Sequence, residues 1–242
     1  MACKHQAPGL ICFADGAQMD TLLAGLIADR LALALAQRGK ASLAVSGGAS
    51  PRGLYARLSH APLDWSKVHI TLVDERMVPA GNDASNERMV RENLLRNAAA
   101  AARFAGLYRP GQSAGDAARA CNAALQALPL PFDALIAGMG VDGHTASWFP
   151  GAHALAAALD PHGDALCVPI LAPADSVAGE HRQRLTLTAR ALAGARLGVL
   201  VLRGQAKRAA YQAACAPGPV EAMPVRAILR SPPQAFWPCW SP

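Results

Sequence analysis

Aromatic residues are scarce in this 242-residue chain, at 5%, and no basic run accompanies them. A nucleic-acid binder usually shows stacking aromatics or clustered cations, so that class is set aside. No Cys-x-x-Cys pair occurs among the six cysteines at 3, 12, 121, 167, 215 and 239, and none neighbours a histidine at metal-ligand spacing. They read as reduced, mostly buried small apolar residues, and no metal site is expected. No apolar run approaches the length that crosses a bilayer, so no membrane role is expected. Residues 1–9 lack a basic segment leading into a long apolar stretch, which argues against a secretion signal and for the cytoplasm. Lysine is rare too. Of 23 cations only Lys4, Lys40, Lys67 and Lys207 are lysine, and the arginines are spread along the chain. The net charge of +6 therefore reads as a solvated basic surface, whose field still draws in a small anionic substrate.

Apolar material is plentiful: 52% of residues are hydrophobic and 17% charged. That supplies the core of one ordinary domain over residues 1–242. Apolar runs alternate with helical patterns throughout. Candidate strands are 10–13, 42–45, 68–73, 134–137, 166–170, 184–188 and 197–202. Candidate helices are 19–37, 51–58, 86–95, 114–127 and 205–214. The alternation predicts a three-layer α/β fold, Rossmann-like, with a mostly parallel sheet and helices on both faces. Ser50 before Pro51 and Ser85 before Asn86 read as helix N-caps, and Gly39 reads as a helix stop. Between 151 and 183 the pattern weakens around Pro161, Pro169 and Pro173, which reads as an excursion over the sheet edge. Residues 98–102 read as a helix end or linker.

Four segments follow candidate strands and would open at the carboxyl end of the sheet, where α/β folds place their chemistry. Ser46-Gly-Gly-Ala-Ser50 runs straight into a helix start, which makes an anion site or a plain strand-to-helix turn. It lacks the lysine of a Walker A loop. Asp74-Glu-Arg76 ends an apolar strand. Asp74 and Arg76 point the same way in extended chain, giving either an arginine held by a carboxylate and aimed at an anion or a structural ion pair. The 134–137 run breaks into a turn with Gly138, Gly140 and Gly143, presenting Asp142 and His144, with the hydroxyls of Thr145 and Ser147 after them. Glycines let backbone approach a ligand, and His144 can move a proton near neutral pH. Finally, Arg203-Gly-Gln-Ala-Lys207 sets a lysine one turn into a helix, over a phosphate or simply at the surface.

Together these segments resemble the 6-phosphogluconolactonase family, within the wider group of glucosamine-6-phosphate deaminases and ribose-5-phosphate isomerases. The resemblance runs in order through Val45-Ser-Gly-Gly-Ala-Ser-Pro51, Val73-Asp-Glu-Arg76, Ser85-Asn86, Gly138-Met-Gly-Val-Asp-Gly-His-Thr-Ala-Ser-Trp-Phe-Pro-Gly151, Arg184-Leu-Thr-Leu-Thr188 and Gly204-Gln-Ala-Lys207. The glycine loop and Asp-Gly-His are shared with the deaminases, whereas Asp-Glu-Arg, Ser-Asn and His-Thr-x-Ser-x-Phe-Pro-Gly are similar to lactonases. Trp148 stands where the family often has leucine, and Val141 where proline or glutamate is common. The C-terminal segment Phe236-Trp-Pro-Cys-Trp240 lacks the acidic residue expected near there.

The resemblance implies hydrolysis of 6-phospho-D-glucono-1,5-lactone to 6-phosphogluconate in the oxidative pentose phosphate pathway, without metal or cofactor. It implies that His144 activates water and later protonates the leaving ring oxygen, with Asp142 or Asp74 orienting it. Arg76, held by Asp74, binds the phosphate or the developing oxyanion. Ser46, Gly47, Gly48, Ser50 and Lys207 hold the phosphate, Arg184 is a second candidate for that anion, and Asn86 meets sugar hydroxyls. No Gly-x-Ser-x-Gly elbow points to a serine nucleophile. The expected partner is the sugar-phosphate lactone alone, with the chain acting as a monomer. The rivals are a sugar-phosphate deaminase or isomerase on the same fold, and a non-catalytic sugar-phosphate sensor. Such sensors carry an N-terminal helix-turn-helix, for which about nine residues before the first strand leave no room.

Overall fold

The apolar runs become the strands of a parallel sheet. The computed structural model describes residues 9–242. In chain order its elements are β1 (Ile11–Cys12), α1 (Gly16–Arg38), β2 (Ala41–Val45), α2 (Arg52–Leu58), β3 (Val68–Leu72), β4 (Asp74–Arg76), α3 (Asn86–Asn93), β5 (Arg103–Ala105) and α4 (Ala114–Gln126). They continue with β6 (Ala134–Ala137), α5 (Leu155–Leu159), β7 (Cys167–Leu171), β8 (Gln183–Leu187), α6 (Ala189–Leu192), β9 (Leu197–Arg203), α7 (Gln205–Cys215), α8 (Arg226–Arg230) and β10 (Ala235–Ser241). Seven strands pair in the order β1-β10-β9-β6-β2-β3-β5, each pair parallel. Every residue of β2 and β6 is buried, as expected of central strands covered on both faces. From β2 the chain moves outward to β3 and β5, then returns to the other side of β2 with β6. The β2/β6 boundary is thus a topological switch point, where the loops beyond the carboxyl ends diverge and leave a crevice.

The helix α1 starts earlier than the apolar spacing indicates because Asp15 caps it, accepting from the N–H of Gln18 at 2.8 Å. It stops at Gly39, in the left-handed conformation at φ 69°. Ser85 caps α3, as expected, by accepting from the N–H of Arg88. Ser50 does not cap α2. Pro51 takes that position without a side-chain hydrogen bond, and the Ser50 hydroxyl accepts from Lys207 Nζ instead.

Two expected members of the main sheet lie elsewhere. β7 and β8 form a separate antiparallel sheet with β4, in the order β4-β8-β7. Both carry exposed residues, at Leu171 and Gln183, where a central parallel strand has none. The 151–183 excursion is therefore structured, containing α5 and β7. Residues 97–101 form a short 3-10 helix. β10 escaped the sequence reading because Pro238 interrupts its pattern. The proline is accommodated because β1 pairs only with Cys239 and Trp240, leaving β10 open on that side at Pro238. Trp148 is fully buried and its indole N–H donates to the Leu187 carbonyl at 2.8 Å, tying the turn after β6 to the small sheet.

Among the described residues no helix is long and apolar enough to cross a membrane. The described cysteines are free thiols: Cys121, Cys167 and Cys239 are buried, Cys12 and Cys215 exposed. Cys3 and the leader-free reading of the first residues lie outside the described part.

Candidate active site

A cleft of about 240 Å³ opens at the switch point. Its walls hold Ser46, Gly47, Gly48, Ser50, Asp74, Arg76, Asn86, His144, Arg184 and Lys207, so ten of the eleven residues expected from sequence converge there. The eleventh, Asp142, stands behind His144.

The loop after β2 supplies one wall. The N–H of Ser46 donates to the Ile136 carbonyl, which fastens the loop to β6. Gly47 is required by contact: a Cβ there would lie 1.9 Å from Asn86 Oδ1. Gly48 sits at φ 85°, where a side chain is strained. Lys207, on the first turn of α7, donates to Ser50 Oγ at 3.0 Å. Burial, then the nearby Arg203 charge, lowers the Lys207 ammonium from its usual pKa. An anion in the cleft would reverse that penalty.

The second wall is β4, and here one expectation is corrected. Asp74 does not hold Arg76. Its carboxylate accepts from Ser147 Oγ and from Asn86 Nδ2, and Asn86 also donates to the Asp74 carbonyl at 2.8 Å. Alternation does bring Asp74 and Arg76 into the same cleft. The Asn86 amide on α3 and the Ser147 hydroxyl after β6 take up the carboxylate instead. Arg76 Nη1 donates to the Ala84 carbonyl, while its Nε is buried with no partner. Ser46 Oγ is also buried and unpartnered. Two orphaned polar atoms lining one cleft mark a place where ligand oxygens belong. Between Asp74 and Arg76, Glu75 is fully buried. It accepts from the N–H groups of Arg76, Asn86 and Glu87 and from Ser85 Oγ, at 2.7–3.0 Å. Burial pushes the Glu75 carboxyl up, against those hydrogen bonds. This carboxylate at the start of α3 locks β4 to the helix that carries Asn86.

Arg76 is the cross-strand partner of Arg184 on β8. Like charges directly opposite each other are unfavourable. Arg184 is only 4% exposed, and its guanidinium is held by the carbonyls of His181 and Ala178. Burial lowers it to a pKa of about 10, with Arg76 adding to the effect and Asp74 opposing it. Such an arrangement is poised for an anion.

The third wall follows β6. His144 Nδ1 lies 2.6 Å from Asp142 Oδ1, and the His144 N–H reaches the same oxygen at 3.2 Å. Of the two carboxylates considered as its orienting partner, Asp142 is the one in contact. Burial raises the Asp142 carboxyl, but its hydrogen bonds and attraction to His144 prevail and hold it below the usual range. The imidazole packs against Phe149 at 4.5 Å between centroids, and the Arg184 guanidinium lies 5.5 Å from the same ring. Gly140 lies under the pair: a Cβ would come within 2.2 Å of the imidazole. Among the described residues no cluster of histidine, cysteine, aspartate and glutamate is placed to hold a metal.

Sequence reasoning missed Phe149 and Glu75 as parts of this arrangement, and gave the Ser147 hydroxyl no partner. All three are buried and would pass for core or capping residues. The fixed interval between Asp74 and Ser147 carries no local pattern, since their contact spans 73 positions.

Residues 14–237 match the model of the family described as glucosamine-6-phosphate isomerases/6-phosphogluconolactonase. The 6-phosphogluconolactonase of Mesorhizobium japonicum is 47% identical, over 95% of this chain and 94% of its own. That of Pseudomonas aeruginosa is 45% identical over the same shares. The crystal structure of a 6-phosphogluconolactonase from Shewanella baltica superposes with a TM-score of 0.91 at 40% identity, covering 98% of this chain and 100% of that one.

Proposed function

The chain belongs to the glucosamine-6-phosphate isomerase/6-phosphogluconolactonase family, and from that premise we propose how its cleft opens a sugar-phosphate lactone. The protein is a 6-phosphogluconolactonase, converting 6-phospho-D-glucono-1,5-lactone to 6-phospho-D-gluconate in the pentose phosphate pathway. The observation that carries the mechanism is an imidazole backed by a carboxylate, sharing a small cleft with three cations and a glycine loop.

A carboxylate only accepts hydrogen bonds, so the His144 nitrogen facing Asp142 carries the proton. Nε2 is then left with a lone pair. It takes a proton from water as the water oxygen attacks C1 of the lactone. Charge develops on the carbonyl oxygen, and the unpartnered Nε of Arg76 meets it. The tetrahedral adduct collapses by breaking the bond from C1 to the ring oxygen, which takes the proton back from His144. The new carboxylic acid then ionises. A δ-lactone is reactive enough for direct attack by water, so neither serine nucleophile, metal nor cofactor enters the scheme.

The phosphate sits at the other end, on the 46–50 loop and Lys207, with Arg184 as a further cation. Asn86, whose Nδ2 donates to Asp74, keeps its Oδ1 to accept from a sugar hydroxyl. We further propose that residues 1–242 act as one domain and as a monomer in the cytoplasm, a reading supported by a cleft that needs no second copy to complete it. The assignment of roles is tested by separating the kinetic constants. Lys207→Ala should raise KM more than it lowers kcat, because uniform binding is lost. Arg76→Met should lower kcat more than it raises KM. An unchanged KM in Lys207→Ala removes Lys207 from the phosphate site.

A further inference from the structure

Arg203, the last residue of β9, does not line the cleft, yet it reaches three separate parts of the fold. Its Nε donates to the Ser50 carbonyl at 2.8 Å, its Nη2 to Asp20 Oδ1 at 2.5 Å and its Nη1 to Ser241 Oγ at 3.3 Å. Asp20, on α1, is 4% exposed. The pair is built in tightly. A Cβ on Gly16 would lie 2.0 Å from Arg203 Nη1, and one on Gly53 would lie 2.1 Å from Asp20 Oδ2. Two helix starts thus give up side chains to admit one ion pair. That pair grips the residue whose hydroxyl receives Lys207.

We propose that Arg203, held by Asp20, is a positioning residue for the phosphate end of the cleft, fixing the Ser50 corner of the glycine loop and setting the electrostatic environment of Lys207. The inference rests on the phosphate reading above. Two effects are separable. Geometry requires a planar fork with several donors, because Ser50, Asp20 and Ser241 lie in different directions. Charge requires only a cation. The charge bearing on Lys207 is that of Arg203, while those of Arg203 and Arg57 bear on Asp20. Asp74, Arg76, Arg184 and His144 share the cleft with Lys207.

The test is binding of the product, 6-phospho-D-gluconate, by calorimetry between pH 6.5 and 10.5, in wild type, Arg203→Lys, Arg203→Met, Asp20→Asn and Lys207→Ala. Burial and Arg203 both lower Lys207, so product binding weakens in the alkaline range as the ammonium is lost; the part of that limb absent from Lys207→Ala belongs to Lys207 and the remainder to Arg184, lowered to about 10. Arg203→Lys should weaken binding about tenfold at neutral pH, through lost hydrogen bonds to a charged donor. It should leave the alkaline limb in place. Arg203→Met should weaken binding at least as much and move the limb to higher pH, because a repelling charge is gone. Asp20→Asn should weaken binding without moving the limb. In each, kcat for the lactone should stay within about threefold of wild type, as expected when only binding is lost. Should Arg203→Met fail to fold, Arg203→Lys and Asp20→Asn still carry the affinity test. Wild-type affinity in the Arg203 variants, beside a weakened Lys207→Ala, overturns this inference and leaves the phosphate reading standing. An unmoved limb in Arg203→Met overturns the electrostatic half. Wild-type affinity in Lys207→Ala overturns the phosphate reading itself.

Discussion

Replacing Gly140 by alanine should disable the enzyme while leaving its fold intact. The added Cβ would stand 2.2 Å from His144 Nδ1 and Cε1 and 2.5 Å from Asp142 Oδ1. Carbon atoms rest at about 3.5 Å or more from such neighbours, so the imidazole must retreat by over about 1 Å. It has somewhere to go, since the His144 side chain is 22% exposed and lines the cleft, and the Asp142 side chain behind it is 24% exposed. The displacement therefore costs little stability, and Gly140 is not at a positive φ that would strain an alanine. A misplacement of about 1 Å at a reacting group costs about 10²-fold in rate, and kcat should fall by that factor. The assay generates lactone with glucose-6-phosphate dehydrogenase and follows 6-phosphogluconate through its own dehydrogenase, with spontaneous opening subtracted. Gly25→Ala is the control. It lies in α1 with nothing within 4 Å of the new Cβ. It should gain roughly 0.5–1 kcal/mol from helix propensity and leave kcat unchanged. A Gly140→Ala enzyme with wild-type kcat and a native melting profile would refute the placement of the base.

Other consequences follow from the same geometry. Asp142→Asn should lower kcat by about 10²-fold or more with little change in KM, because the amide no longer fixes the proton on Nδ1; stopped-flow rates check this. The hydrogen bonds that hold the Asp142 carboxyl low make its contribution present at neutral pH. It is lost only as pH falls through that lowered value, so an Asp142→Asn protein should lose less stability than wild type in that acid range, measured by denaturant midpoints. Arg76→Met should reduce kcat by about 10²–10³-fold if its Nε meets the oxyanion, and a change confined to KM would transfer it to the phosphate. Trp148→Ala should destabilise the fold by about 3–5 kcal/mol in urea, since it empties a fully buried site and removes the indole hydrogen bond to the Leu187 carbonyl.

The parallel core was legible because its strands are continuous apolar runs, and 134–137 is a strand with the expected bounds. The second sheet was not, because β4 is made wholly of charged residues. Its ladder with β8 depends on pairing Asp74 with Thr186 across 112 positions, a contact no local pattern announces. The cleft residues were found through glycine-rich turns at strand ends. Their partners were harder. The choice between Asp74 and Asp142 beside His144, and the failure of Asp74 to hold Arg76, are settled by where α3 and the 145–148 turn pack. Ser50 shows a local rule overridden: its sequence context suits an N-cap, yet a lysine brought from 157 positions away takes its hydroxyl.

The most direct test is the coupled lactonase assay on wild type, His144→Ala and a no-enzyme blank. The account predicts that wild type accelerates 6-phosphogluconate formation well beyond spontaneous opening, and that His144→Ala, folded by circular dichroism, falls about 10²–10⁴-fold below it. Equal rates in wild type and His144→Ala would contradict the assignment of the base, and a wild-type rate no faster than the blank would contradict the function itself.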